Sequence, residues 1–126
     1  MDDDAVIRSL TEDMYAALSR DDQAWFQDHL LLEPETVHIG GGHRFWNTSE
    51  GLLEALGQQA EEVDIKWQTG EVVVRCRGDV AWVAARPMLR FDDGSELSCR
   101  ATLVWVRQPD GEEWKLAHSH LSVPID

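Results

Sequence analysis

The chain is poor in cysteine, in basic residues and in long apolar runs, and each shortage removes a class of function. Cys76 and Cys99 are its only cysteines. Two thiols without a secretory context are expected to stay reduced, although the pair could meet across neighbouring strands. Lys and Arg number 11 against 24 Asp and Glu, giving a formal net charge of −13. A field of that sign repels a phosphate backbone and an anionic bilayer alike, so neither nucleic acid nor membrane is an expected partner, and solubility is the simplest use of the charge. No apolar stretch approaches the ~18 residues of a membrane span. "MDDDAV" is acidic and passes straight into a helical pattern rather than into a secretion signal, so a cytoplasmic location is expected. The Asn47-Thr48-Ser49 acceptor pattern then carries no weight.

What is present suits one packed domain spanning residues 1–126. Hydrophobic residues make up 43%, six of them Trp. Val6, Ile7, Leu10, Met14, Ala17 and Leu18 recur at three- and four-residue spacing, the mark of an amphipathic helix. Acidic residues at its start suit the positive end of the helix dipole. Asp21 or Asp22 can cap a shorter helix, "QAWFQDHLLL", which Glu33 and Pro34 end. "TVHI" reads as a short strand leading into "GGGH", a loop that uses glycine's freedom. Thr48 or Ser49 caps a third helix with Leu52, Leu53 and Leu56 as its buried stripe.

After Ala60 the pattern becomes β-rich. "VDIKWQ", "EVVVRC", "VAWVAARPMLRF", "ELSCRATLVWVRQ" and "EWKLAHSHLSV" are separated by short glycine-bearing turns, which predicts successive antiparallel hairpins. Pro87 inside the third of these requires an edge or a bulge. Helices first and a meander of strands second is an α+β layout with the helices gathered on one face of a curved sheet.

This order of elements resembles the nuclear transport factor 2-like (cystatin-like) fold. Within it the chain is similar to the SnoaL-like proteins and to the association, or hub, domain of calcium/calmodulin-dependent kinase. "GDVAWVAAR", "RATLVWV" and "DGEEWKLAHSHLSVP" carry the likeness; in the last, Asp110-Gly111, Trp114, His118, His120, Ser122 and Pro124 match the hub's ending. The resemblance implies a cone: a bent antiparallel sheet with three N-terminal helices on its concave face. It does not imply one function, because the superfamily holds isomerases, cyclases, dehydratases and assembly modules.

His118 and His120 pose the sharpest question. Strand alternation puts Trp114, Leu116, His118, His120 and Ser122 on one face. In the hub a pocket arginine follows the second histidine; its equivalent is Leu121, which implies that Ser119 and Leu121 face the cavity and the histidines the opposite side. An HxH pair ~6.6 Å apart can bite one ion, but no carboxylate accompanies it on that face, so no metal is assigned. Packed roles in an interface need nothing more, and Trp114, Leu116, His118 and His120 are the interface candidates for a homodimer.

For the cavity, Arg86 matches a pocket arginine of the hub, while the second hub arginine has no equal beside Val104. Arg86 and Arg100 are expected on the concave face because they alternate with Trp82, Ala84 and Met88, and with Thr102 and Val104. There they would meet a small anionic or aromatic ligand, or else carboxylates of the helices. Tyr15, His38, Trp46, Thr102 and Ser119 complete the candidates, with His43 beside Trp46 at the mouth. "SCRATLVWV" shows no carboxylate on the Arg100 face, which argues against a carbon-acid isomerase or cyclase. The expectation is a small homodimeric protein whose cone holds a ligand without catalysis and without a cofactor. The alternatives are a cofactor-independent isomerase, cyclase or hydrolase, or a pure oligomerisation module.

Overall fold

The computed structural model describes residues 2–40, 46–62 and 64–124. Three helices come first: α1 (Asp3–Ser19), α2 (Gln23–His29) and α3 (Ser49–Glu62). Asp2 caps α1 by accepting from Asp4 N, and Asp3 and Asp4 in its first turn complement the dipole. Asp22 caps α2, accepting from Trp25 N at 3.1 Å; Thr48 does the same for α3, with Gly51 N at 3.2 Å. The apolar spacing of α1 is realised as a buried stripe of Ile7, Thr11, Met14 and Tyr15, with Thr11 Oγ1 donating back to Ile7 O at 2.9 Å.

Among the described residues nine strands form two sheets. The larger has the order β2 (Trp46–Asn47), β1 (Val37–Ile39), β9 (Trp114–Ser122), β8 (Arg100–Arg107), β5 (Val80–Ala85), β4 (Val72–Arg77). The smaller has β3 (Lys66–Gln68), β6 (Met88–Arg90), β7 (Glu96–Ser98). The hairpins expected from the turns are present as β4–β5, β6–β7 and β8–β9, all antiparallel. One pairing differs from the expected meander. β1 runs parallel to β9, Val37 opposite His118, so the curved sheet is mixed. A helical crossover of the chain separates β1 from the later strands, which is what parallel pairing requires.

The two long strands expected on either side of "DDG" are each broken in two. Pro87 is buried where β5 ends and β6 begins, and Cys99 sits at the matching break between β7 and β8. Cys99 N donates to Pro87 O at 2.9 Å and Arg86 N to Glu71 O at 2.9 Å, so the strands stay tied while the sheet turns its corner. Gly70, at φ +67, lies beneath that corner. An added Cβ there would stand 2.2 Å from Arg86 O, so only glycine fits.

The core lies between the helices and the concave side of the larger sheet. Ala81, Val83 and Ala85 of β5 meet Leu103 and Trp105 of β8, and Ile7, Phe26 and Leu30 cover them. Residues such as Trp105, Leu103 and Leu116 are removed from water completely or nearly so, and full burial of one large apolar side chain contributes roughly 1.5–3 kcal/mol. Arg107 closes one end: its guanidinium lies 4.5 Å over the Trp114 ring and pairs with Asp3 at 2.6 Å and Asp79 at 3.2 Å. That cluster fastens the start of α1 to the sheet.

A β-bulge in β9 corrects the sequence reading of the last strand. Leu116 pairs with Trp105 and His118 with Val104, leaving Ala117 unpaired. One extra residue reverses which side chains face the core. Trp114 and Leu116 therefore point inward and are 3% and 1% exposed, whereas His118 and His120 pair with the outward-facing Val104 and Thr102. The expected common face of Trp114, Leu116, His118 and His120 does not exist, and Trp114 and Leu116 are core residues rather than interface candidates in this chain.

Candidate functional site

The helices and the concave sheet enclose a cavity of about 290 Å³. That is near the lower end of small-molecule sites, typically ~300–1,000 Å³. Tyr15 stacks on Trp67 across one wall, ring centroids 5.5 Å apart. Phe26, Leu52 and Leu56 come from the helices, and Leu103, Leu116 and Leu121 from the sheet. No Asp, Glu, Lys or Arg lines it among the described residues. Burial holds the Tyr15 phenol well above its usual range, helped by the neighbouring Cys99, so it stays protonated.

Ser119 and His120 are the polar residues on the β9 wall, and the bulge turns Ser119 in beside Leu103. Behind it His38 is wholly buried, with Nδ1 2.8 Å from Ser119 Oγ and Nε2 2.9 Å from Ser49 Oγ. Ser49 is itself fixed: its N–H donates to Thr36 Oγ1 at 2.9 Å, and Thr36 Oγ1 donates to Glu33 O at 2.8 Å. Burial pushes the His38 imidazole down to about 4, with the charge of His118 adding to the effect. His38 is thus neutral at pH 7, one ring nitrogen donating and the other accepting.

The other expected cavity residues lie elsewhere. Arg86, Arg100 and Thr102 were expected on the concave face; they are exposed on the outer one. The inward set of β5 is Ala81, Val83 and Ala85, and the inward set of β8 is Ala101, Leu103 and Trp105, so Trp82, Ala84, Thr102 and Arg100 alternate outward. Arg86 meets Glu71 at 3.4 Å with both side chains largely in solvent. Arg86, Arg100 and Thr102 do come together, with His120 and Ser122, along an open outer groove of about 900 Å³. His120 borders both this groove and the cone. His118 Nδ1 donates to Val37 O at 2.7 Å, which ties β9 to β1. Trp46 is 68% exposed on β2 and does not line the cone. His43 and the rest of the glycine loop after Gly40 fall outside the described residues.

Cys76 and Cys99 are free thiols. Among the described residues no group of three or more His, Cys, Asp or Glu is arranged to hold a metal ion, and no helix is long and apolar enough to cross a membrane. The Ser49–His38–Ser119 chain went unread in the sequence as a unit. Its members lie 11 and 81 residues apart, and only the parallel pairing of β1 with β9 brings His38 opposite Ser119.

Fold and cavity together define a cone of the nuclear transport factor 2-like, cystatin-like class. The family model described as a SnoaL-like domain matches residues 7–126, and the chain belongs to that family. No curated protein matches it. Among solved structures, an NTF2-like protein of unknown function from Pseudomonas putida KT2440 superposes with TM-score 0.84 at 19% identity, covering 98% of this chain and 87% of that one. The S. rosetta CaMKII hub gives TM-score 0.83 at 18% identity over 98% of both chains. A putative calcium/calmodulin-dependent protein kinase II association domain from Xanthomonas campestris gives 0.77 at 18%, covering 95% of this chain and 86% of that one.

Proposed function

We propose that the chain folds as one cytoplasmic domain over residues 1–126, holds a small molecule in its cone without transforming it, and self-associates through the outer face of its larger sheet. The observation that carries the ligand reading is the cone wall itself: apolar and aromatic side chains around the Ser119 hydroxyl, which is oriented from behind by a buried histidine, with Tyr15 and His120 adding further polar atoms to the lining. Such a wall suits an aromatic or alicyclic compound. The anionic ligand expected from the arginines loses its support, because Arg86 and Arg100 stand outside. An isomerase or cyclase would need a strong base in the cone. Asp and Glu do not line it among the described residues, and His38, down at about 4, is a poor base, which leaves His120, at the border of the cone, as the imidazole that such an enzyme would have to use.

Self-association is supported by the outer face, where Trp82 is 42% and Val73 42% exposed beside Ala84 and Val104. His118 and His120 border that strip in register with Val104 and Thr102. The names hub and association domain of two similar structures point the same way. Light scattering tests this half: a mass of 14.3 kDa at micromolar concentration refutes it, and a multiple of that mass supports it. A shift in melting temperature on adding small ring compounds tests the other half, and Leu103→Trp, which fills the cone, should abolish the shift.

A further inference from the structure

The polar wall of the cone has a direction. His38 faces a hydroxyl at each ring nitrogen, Ser119 on one side and Ser49 on the other. A hydroxyl can donate or accept, so two proton arrangements satisfy His38. His118 and His29 have no such choice: Nδ1 of His118 faces Val37 O and Nδ1 of His29 faces Trp25 O, and a carbonyl forces each to donate.

The surroundings of Ser49 separate the two arrangements. Ser49 is fully buried, and among the described residues the hydrogen bond of its hydroxyl is the one with His38. If His38 Nε2 carried the proton, it would donate to Ser49 Oγ and leave the Ser49 proton buried without an acceptor, a heavy cost. If Nδ1 carries it instead, Ser49 donates to Nε2 and Nδ1–H donates to Ser119 Oγ. Ser119 then has its own proton free, and it is the member of the chain that lines the cavity. No buried proton is stranded, and the unused donor meets the ligand.

We infer that the Ser49–His38–Ser119 relay presents a fixed hydrogen-bond donor in the cone, so that the site selects neutral ring compounds carrying a carbonyl acceptor over matched alcohols, hydrocarbons and carboxylates. This rests on the cone being a ligand site. His38 acts as a positioning residue and Ser119 as the contact. A carbonyl oxygen completes the relay, an alcohol leaves its own proton without a partner from Ser119, and a carboxylate must surrender its hydration to an apolar wall.

Two measurements test it separately from the parent reading. The ¹⁵N shifts of the His38 ring in the ligand-free protein at pH 7 are expected to show a protonated Nδ1 and a bare Nε2; a protonated Nε2 overturns the inference whatever the cone binds. Calorimetric titration with acetophenone, 1-phenylethanol, ethylbenzene and benzoate supplies the second readout. Acetophenone is expected to bind about five- to tenfold more tightly than ethylbenzene, the worth of one neutral hydrogen bond. The alcohol should fall between them and benzoate should be weakest. Ser119→Ala should bring acetophenone close to the affinity of ethylbenzene while leaving ethylbenzene unchanged, whereas Tyr15→Phe, which removes the other hydroxyl of the lining, should keep the ketone preference; the reverse pattern assigns the donor to Tyr15 and overturns the inference. Equal binding of ketone and hydrocarbon, or tighter binding of the alcohol or of benzoate, overturns the donor while leaving the ligand site standing. Failure of all four to bind removes the ligand site and the inference with it.

Discussion

Acid should destabilise this protein through His38 before its carboxylates titrate fully. The imidazole is down at about 4 in the fold, chiefly because burial disfavours its charged form, against ~6.5 when the chain is unfolded. Between those values the unfolded chain binds the extra proton, so stability rises with pH across the window and is fully present above ~6.5. Falling pH withdraws it: about 2 kcal/mol is lost by pH 5, and about 3 kcal/mol once the pH is below both values. Against a total of ~5–15 kcal/mol for a domain, that is a large fraction. The assay is urea unfolding followed by Trp fluorescence at pH 8, 6.5, 5.5 and 5, on the wild type and on His38→Gln. Groups distant from His38 contribute to both proteins, so the difference between them reports on His38. The wild-type advantage at pH 8 should shrink by about 2 kcal/mol at pH 5. A difference that stays constant from pH 8 to 5 refutes the reasoning. So does an NMR titration of the His38 ring in the wild type with a midpoint at or above 6, and that readout does not depend on the variant folding.

Gly70→Ala should cost more than about 2 kcal/mol, because positive-φ strain adds to a Cβ placed 2.2 Å from Arg86 O; Gly78→Ala, also at positive φ (+60) but with nothing within 4 Å, should cost about 1 kcal/mol, and equal midpoints in thermal melts would contradict the corner geometry. Trp105→Phe deletes a buried indole N–H with no partner among the described residues, so the penalty avoided should offset lost packing and keep the change below about 2 kcal/mol; a loss typical of Trp→Ala in denaturant titration would contradict this. Each copy carries −13 and an outer face bearing Arg75, Arg77, Arg86 and Arg100, so like charges oppose association through that face and added salt should strengthen it in sedimentation experiments; weakening by salt would point to a different surface. His118→Ala and His120→Ala should weaken assembly in the same assay.

The helices were legible because a 3.6-residue period survives any tertiary context: Ile7, Met14 and Ala17 are buried where the spacing puts them. The hairpins were legible because Gly78 and Gly94 take the positive φ that their turns demand. Parallel pairing of β1 was not. It joins residues 81 apart, such as His38 and Ser119, and three residues of strand carry no periodicity that names a distant partner. The same holds for the break at Pro87. The residue demanded an irregularity, and only the structure shows it as a corner between two sheets, with Gly70 packed beneath it.

The site was harder because alternation says which side chains share a face and not which face is buried. On β5 the large residue, Trp82, invited the inner reading, yet the inner positions are Ala81, Val83 and Ala85. Small side chains there are matched by Trp105 and Leu103 on β8, so the volume is supplied by the neighbouring strand. Arg86 and Arg100 followed Trp82 outward, and the expected ligand chemistry went with them. β9 shows the converse case. Its alternation was read without a break, and the unpaired Ala117 reverses it halfway along. Residues before the bulge, Trp114 and Leu116, join the core; after it, Ser119 and Leu121 face the cone while His118 and His120 pair with the outward Val104 and Thr102, His120 bordering the cone as well as the outer groove. Without that extra residue no register puts Leu116 in the core and Ser119 beside His38 on the same side of the sheet. The bulge therefore links a packing requirement at one end of β9 to a hydrogen-bond donor at the other.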